Sequence, residues 1–361
     1  MPATPSRRRT PYGALLLVLL LAVVGAACSS DSNATTSASG SSASSAAPVT
    51  VRIGYFPNVT HAPAIVGVEK GFFTKELGAN TLETKTFNAG PEEVEALLAG
   101  SIDVAFVGPN PAINAYQKSN GEAIRIVAGT TSGGASFVVS KDITTAADLK
   151  GKSVASPQLG NTQDVALRSW LKDQGLATDT NGGGDVSIKP QANGDTLDQF
   201  KQGLISGAWV PEPWATRMVQ EGGGHVLVDE KTLWPNGQFV TTHVIVATQF
   251  LKDHPDAVKD IIKGEADAID YIAANAADAQ TVVNDSITKI TGKGLKPEVV
   301  AASFGNLTFT LDPIASSLTT SAQNAKDVGL LDSTDVKNIY DLTLVNEVLK
   351  DAGKPEVKGL S

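Results

Sequence analysis

From residue 51 onward the apolar positions switch between a two-residue spacing and a helical one. The run Val51-Arg52-Ile53-Gly54-Tyr55 reads as a strand, 62–69 as a helix and 82–87 as a strand. A second helix follows over 91–99, then a continuous apolar strand over 102–107. Such alternation predicts an α/β fold in which helices flank a mostly parallel sheet. Farther along, Val258, Ile261, Ile262, Ala266, Ile269 and Ile272 mark one helical face, and residues 342–349 another. Both read as covering helices without chemistry.

Shifting the chain by 103 residues aligns two stretches without a gap. Val94 falls on Leu197, Leu97 on Phe200, Gly100 on Gly203 and Ile102 on Ile205; Ala105 falls on Ala208, Phe106 on Trp209 and Val107 on Val210. Each copy reads as a helix, a Gly that ends it, and a buried strand. Helical spacing with a terminal Gly is common by chance. A Pro-rich loop after both copies favours two related lobes that enclose a cleft. Those loops are Gly108-Pro109-Asn110-Pro111 and Pro211-Glu212-Pro213-Trp214. They follow the carboxyl ends of strands, where open α/β sheets take ligands. The chain has to cross between lobes twice, through 130–135 into 136–140 and through 234–237 into 239–247. This predicts lobe 1 as 50–137 plus 242–361 and lobe 2 as 138–241, joined by a two-strand hinge.

Composition sets the surroundings. The 361 residues leave room for two domains, and with 42% hydrophobic side chains most of the chain can bury a core. Arg7, Arg8 and Arg9, an apolar run over 14–24 and Gly25-Ala26-Ala27 before Cys28 read as an export signal over 1–27, with an apolar part short for a bilayer. It is cut either after small residues or by lipoprotein processing that acylates Cys28. The segment resembles a bacterial lipobox, with Gly25 where that pattern more often has Leu. Residues 28–49 are nearly all Ser, Ala, Thr, Asn and Gly, a tether without a core. Removing 1–27 leaves 26 basic against 38 acidic side chains, a formal −12, which disfavours nucleic acid as a partner. The only cysteine is Cys28, so no internal disulfide is possible.

Helix starts offer backbone N–H groups and partial positive charge, so a cleft floored by them suits an oxyanion. Candidate starts are Asn58-Val59-Thr60-His61, Asn88-Ala89-Gly90-Pro91, Asn110-Pro111 and Gly160-Asn161-Thr162-Gln163-Asp164. Each taken singly is as well explained by capping. His61 reads as a donor to a bound anion or as a structural donor, and Trp209 as a ligand contact or as core. Glu212 reads first as a helix cap, because an unpaired carboxylate facing a sulfonate would cost binding; an ammonium partner and a protein contact are its other readings. Trp214 is harder to explain as core. No Walker loop, His-Glu-x-x-His or Gly-x-Ser-x-Gly occurs, and His61, His225, His243 and His254 lack metal-ligand spacing. The chain reads as a non-enzyme without metal or cofactor.

Four segments together carry a resemblance: 51–56, Leu98-Ala99-Gly100-Ser101-Ile102-Asp103-Val104-Ala105, 160–168, and Ala208-Trp209-Val210-Pro211-Glu212-Pro213-Trp214-Ala215. In this order the chain resembles the solute-binding proteins of ABC importers, in the nitrate, taurine and aliphatic-sulfonate branch. The resemblance implies a two-lobed periplasmic-binding fold of the second type, closing on a small-molecule solute and docking on an ABC permease with its ATPase. It implies a monomer, lipid-anchored on the extracytoplasmic side of the cell membrane. By position it maps the pocket to Asn58, His61, Gly90, Pro109, Asn110, Ser132, Asn161, Thr162, Glu212 and Trp214. Relatives that bind flat heterocycles, such as thiamine pyrimidines or riboflavin, supply the alternative solute, with Trp209 and Trp214 as stacking platforms. A related pyrimidine synthase expects a cysteine-rich segment that this chain lacks. Where the family's second lobe usually repeats Gly-x-Ile-Asp, this chain has Ser206, which predicts a small packing or capping change.

Overall fold

The computed structural model describes residues 47–360. The export signal, Cys28 and the tether as far as residue 46 lie outside the described residues. The chain opens with β1 (Thr50–Tyr55), α1 (Ala62–Glu69), α2 (Phe72–Leu77), β2 (Thr81–Thr86), α3 (Gly90–Leu98), β3 (Val104–Val107), α4 (Pro109–Lys118) and β4 (Ile124–Gly133). It then enters a second sheet: β5 (Ala135–Val139), β6 (Ser153–Ser156), α5 (Thr162–Asp173), β7 (Ser187–Pro190), α6 (Asn193–Lys201), β8 (Gly207–Pro211), α7 (Trp214–Gln220) and β9 (His225–Asp229). It returns through β10 (Val240–Ala247), α8 (Thr248–Asp253), α9 (Pro255–Ala274), α10 (Ala276–Thr291), α11 (Pro297–Gly305), β11 (Leu307–Phe309), α12 (Ala315–Asp327) and α13 (Thr343–Asp351).

The first sheet has the order β11-β4-β10-β3-β1-β2 and the second β7-β6-β8-β5-β9; the body around each is called lobe 1 and lobe 2 below. Pairing of β1 with β2 and β3, and of β6 with β7 and β8, is parallel. The strands that bring the chain across run the other way. β10 is antiparallel to β3 and β4, and β5 to β8 and β9, so both sheets are mixed. The reason is entry: β5 and β10 come from the opposite lobe, not from a crossover helix of their own.

The 103-residue repeat is visible in the elements themselves. α3 and α6 start at Gly90 and Asn193, and β3 and β8 follow them at the same offset. Each helix ends at a glycine in the left-handed region, Gly100 (φ 69°) and Gly203 (φ 70°), a conformation that glycine adopts without a Cβ clash. The strand entries also match, since Asp103 N donates to Arg52 O (2.8 Å) and Ser206 N to Ser153 O (2.7 Å). In lobe 1 the Asp103 carboxylate adds a two-pronged pair with Arg52 (2.6 and 2.9 Å). Ser206 keeps the backbone pairing and drops the ion pair.

Lobe 1 buries apolar side chains on both sheet faces. On one, Ile53, Phe106 and Val244 meet α1, α2, α9 and α10; on the other, Ala105, Ile126 and Ile245 meet α4 and α12. Phe73, fully buried, lies against two glycines: a Cβ on Gly67 would approach its ring to 2.4 Å and one on Gly264 to 2.7 Å. Lobe 2 has its own core of Phe137, Leu167, Leu171 and Trp209.

Two carboxyl side chains, Glu93 and Glu265, are fully buried inside lobe 1, and burial raises both. Glu265 of α9 is fully buried, accepts from the Thr130 hydroxyl of β4 (2.5 Å), and its second oxygen has no partner among the described residues. Burial pushes its carboxyl up to about 8, so it folds as the neutral acid. The folded state then keeps a proton that the unfolded chain releases above the ordinary carboxyl value. This contribution is complete at acid pH and is lost as pH rises through about 8. Urea unfolding at stepped pH should show stability falling across that window, with a slope approaching about 1.4 kcal/mol per pH unit from this group. Glu265→Gln, which keeps the shape and removes the proton, should reduce the slope by this group's share and leave that of the other buried carboxyls, Glu93 and Glu230; equal slopes would place the titration elsewhere.

Candidate functional site

The helix starts of the two lobes converge. Lobe 1 contributes the turn Asn58–His61 before α1, Asn88 before α3, Gly108 before α4, and Thr241 and Thr242 of β10. Lobe 2 contributes Pro157, Asn161, Thr162 and Gln163 at the start of α5, Asn193 at the start of α6, and Pro211. Between them is a cavity of about 20 Å³, space for one water-sized group and little more. None of its lining residues is Asp, Glu, Lys or Arg. A far larger depression of about 800 Å³ lies beside Asn114, Lys118 and Lys337, but it opens to solvent and none of its lining side chains is a buried polar group without a partner.

The cleft is shut by close approach. A Cβ on Gly108 would lie 2.4 Å from the Thr162 hydroxyl of the opposite lobe. Trp214 Nε1 donates to Asn58 Oδ1 at 3.0 Å across the same gap. Arg217 lies over the Trp214 ring, 4.7 Å from its centroid. Two buried atoms in the lining, Thr162 Oγ1 and Asn193 Oδ1, have no hydrogen-bond partner among the described residues. Buried polar atoms are normally satisfied, so orphans gathered in one cavity point to a guest that completes them.

Of the residues the sequence nominated, Asn58, His61, Asn161 and Thr162 line this cavity, and Trp214 reaches it through Asn58. His61 is not open to an anion. Its Nε2 lies 2.9 Å from the Phe106 carbonyl and its Nδ1 3.1 Å from the Thr60 hydroxyl. Full burial lowers it to about 3, so the ring is neutral and both nitrogens are engaged. Asn161 caps α5, its Oδ1 accepting from Thr162 N (2.9 Å).

Other nominations lie elsewhere. Trp209 is fully buried in the lobe 2 core, stacked on Phe137, its Nε1 donating to Glu230 (2.7 Å); its repeat partner Phe106 is core as well. Glu212 faces away from the cavity. Thr216 N and Oγ1 donate to its carboxyl, as the capping reading expects, but so do Ser303 and Asn306 of lobe 1 at 3.1 and 2.7 Å. Its backbone N donates to Gly134 O at the first crossing. Burial raises its carboxyl, against which these donors act. Asn110 donates to Ser321 O of α12 (3.1 Å), Gly90 packs against Pro111 and Val107, and Pro109 is a buried first-turn residue of α4. Ser132 sits in the β4 ladder between Val240 and Thr308.

Thr60, Gly108 and Gln163 belong to the candidate segments without being singled out, and Asn193, Thr241 and Thr242 lie outside them. Asn193 was within reach of the sequence, since the 103-residue repeat places it on Gly90. Thr241 and Thr242 carried no such signal; only the β10 pairing brings them to the cleft.

The approach of Gly108 to Thr162 gives a direct check. Gly108→Ala should hold the lobes apart, seen as a larger radius of gyration in solution scattering, and Gly108→Ala with Thr162→Ala should restore the compact form. An unchanged radius in the single variant would show that closure does not run through this contact.

Known proteins show the same plan. Residues 44–284 match the NMT1-like family. The taurine-binding periplasmic protein of Escherichia coli is 28% identical over 214 residues, covering 59% of this chain and 63% of its own. The crystal structure of the periplasmic nitrate-binding protein NrtA from Synechocystis PCC 6803 superposes with a TM-score of 0.72 at 18% identity, over 86% of this chain and 90% of that one. The alkanesulfonate-binding protein SsuA from Xanthomonas axonopodis pv. citri, bound to MOPS, gives 0.67 at 19% identity, over 80% and 96%. The fold is therefore the two-lobed periplasmic-binding-protein fold, and the chain belongs to the NMT1-like family.

Proposed function

We propose that this protein is the extracytoplasmic solute-binding component of an ABC importer, closing its lobes on a small monovalent oxyanion such as an aliphatic sulfonate, taurine or nitrate and delivering it to a permease driven by an ATPase. The observation that carries the reading is a cleft floored by helix starts and lined by no formal charge, in which two buried polar atoms lack partners. Helix dipoles and amide groups then balance one negative charge without a cation. A relative named for taurine and fold neighbours named for nitrate and alkanesulfonate support the same class.

The heterocycle reading loses its platforms. Trp209 is sealed in the core, and Trp214 is turned so that its N–H is spent on Asn58. Lobe 1 as 50–137 plus 242–361 and lobe 2 as 138–241 are the bodies we assign to the closing motion, and the receptor acts as a monomer without catalysis. Cys28, processed as a lipoprotein cysteine, anchors it to the membrane through several acyl chains.

Thermal unfolding with methanesulfonate, taurine and nitrate tests the solute class. Stabilisation should grow with the logarithm of ligand concentration, and Asn161→Leu should remove it. No response to any of the three anions would end the proposal. For the anchor, Cys28→Ser should move the expressed protein from the membrane fraction to the soluble extracytoplasmic fraction; retention on the membrane would refute acylation at this residue.

A further inference from the structure

The hydrogen bonds around the cavity fix which of its atoms give protons and which receive them. The indole N–H of Trp214 can only donate, so Asn58 turns Oδ1 toward it and is left with Nδ2 as a free donor. The Thr162 backbone N–H holds Asn161 Oδ1 in the same way and leaves its Nδ2 free. Each lobe therefore carries one amide whose orientation is set by a protein donor.

The threonines have the opposite sense. The Phe106 carbonyl can only accept, so His61 Nε2 bears the ring proton and the neutral Nδ1 accepts from the Thr60 hydroxyl. The Thr242 hydroxyl donates to Thr60 O (3.2 Å) and that of Thr241 to Gly133 O (2.5 Å). These three hydroxyl protons are committed to protein acceptors and offer a guest their lone pairs, whereas Thr162 Oγ1, which has no partner among the described residues, can still donate. Asn193 Oδ1, buried and unpartnered, adds an acceptor on the other wall. An anion that only accepts would satisfy the two amides and the Thr162 hydroxyl and leave the other lone pairs facing its own.

We infer that the solute is an oxyanion carrying its own proton donor, an O–H or N–H close to the charged oxygens, with the amides of Asn58 and Asn161 binding the oxygens and Thr60, Thr241, Thr242 and Asn193 receiving the donor. This rests on reading the cleft as the solute site and narrows the class proposed above. A site built to pair with a ligand N–H or O–H discriminates strongly against the analogue lacking it, because its buried acceptors are then left unmatched.

Matched probes of nearly equal shape test it by titration calorimetry: sulfamate against methanesulfonate, and bicarbonate against nitrate. In each pair the member with a proton donor should bind at least about tenfold more tightly. Thr242→Val, which leaves Thr60 O still bonded to Thr131, should shrink the preference, and Thr242→Ser should retain it. Equal binding within both pairs, or a Thr242→Val variant that weakens both members alike, would overturn this inference while leaving the anion site standing. Failure of all four probes to bind would remove both.

Discussion

The contact between Gly108 and Thr162 governs the cleft. With a Cβ at the first position, the Thr162 hydroxyl would have to give way before the start of α5 could come this close to the start of α4. The distance between those helix ends decides whether their fields and N–H groups act on one small volume or on open water. In a narrow, dry gap, dipolar groups count for much more than in solvent. A single missing Cβ thus lets two helix starts face one small volume.

That cleft carries polar groups in a set arrangement and no formal charge of its own. The histidine at its edge is kept neutral by burial, against which the Phe106 carbonyl acts, and the loop carboxylate of Glu212 is occupied by four protein donors. A cation in the same place would bind many anions indiscriminately. Amides with fixed orientation and hydroxyls with committed protons impose a pattern that a guest has to match.

The sequence discloses the scaffold well, because periodicity and the Gly-ended helix are local signals. The self-similarity at 103 residues survives as α3 with β3 and α6 with β8, down to the same left-handed glycines and the same strand-entry hydrogen bond. Mixed pairing is less visible, since β5 and β10 read as ordinary apolar strands and only their partners reveal their direction. Within the cleft, Asn58, Asn161 and Thr162 are legible as helix-start polar residues. Trp209 and Glu212 mislead because a residue in a conspicuous motif can serve packing or bracing, which depends on where its side chain points. Thr241 and Thr242 are invisible for the converse reason: threonine in a strand is expected on propensity alone.

Glu212 gives the molecule more than a filled hydrogen-bond inventory. Two strands crossing side by side resemble a strap, free to twist as well as to fold. A carboxylate set off that line and gripped by Ser303 and Asn306 adds a third tie, and three ties out of line hold the halves in one arrangement for as long as the grip lasts. The halves can part only once that grip is released.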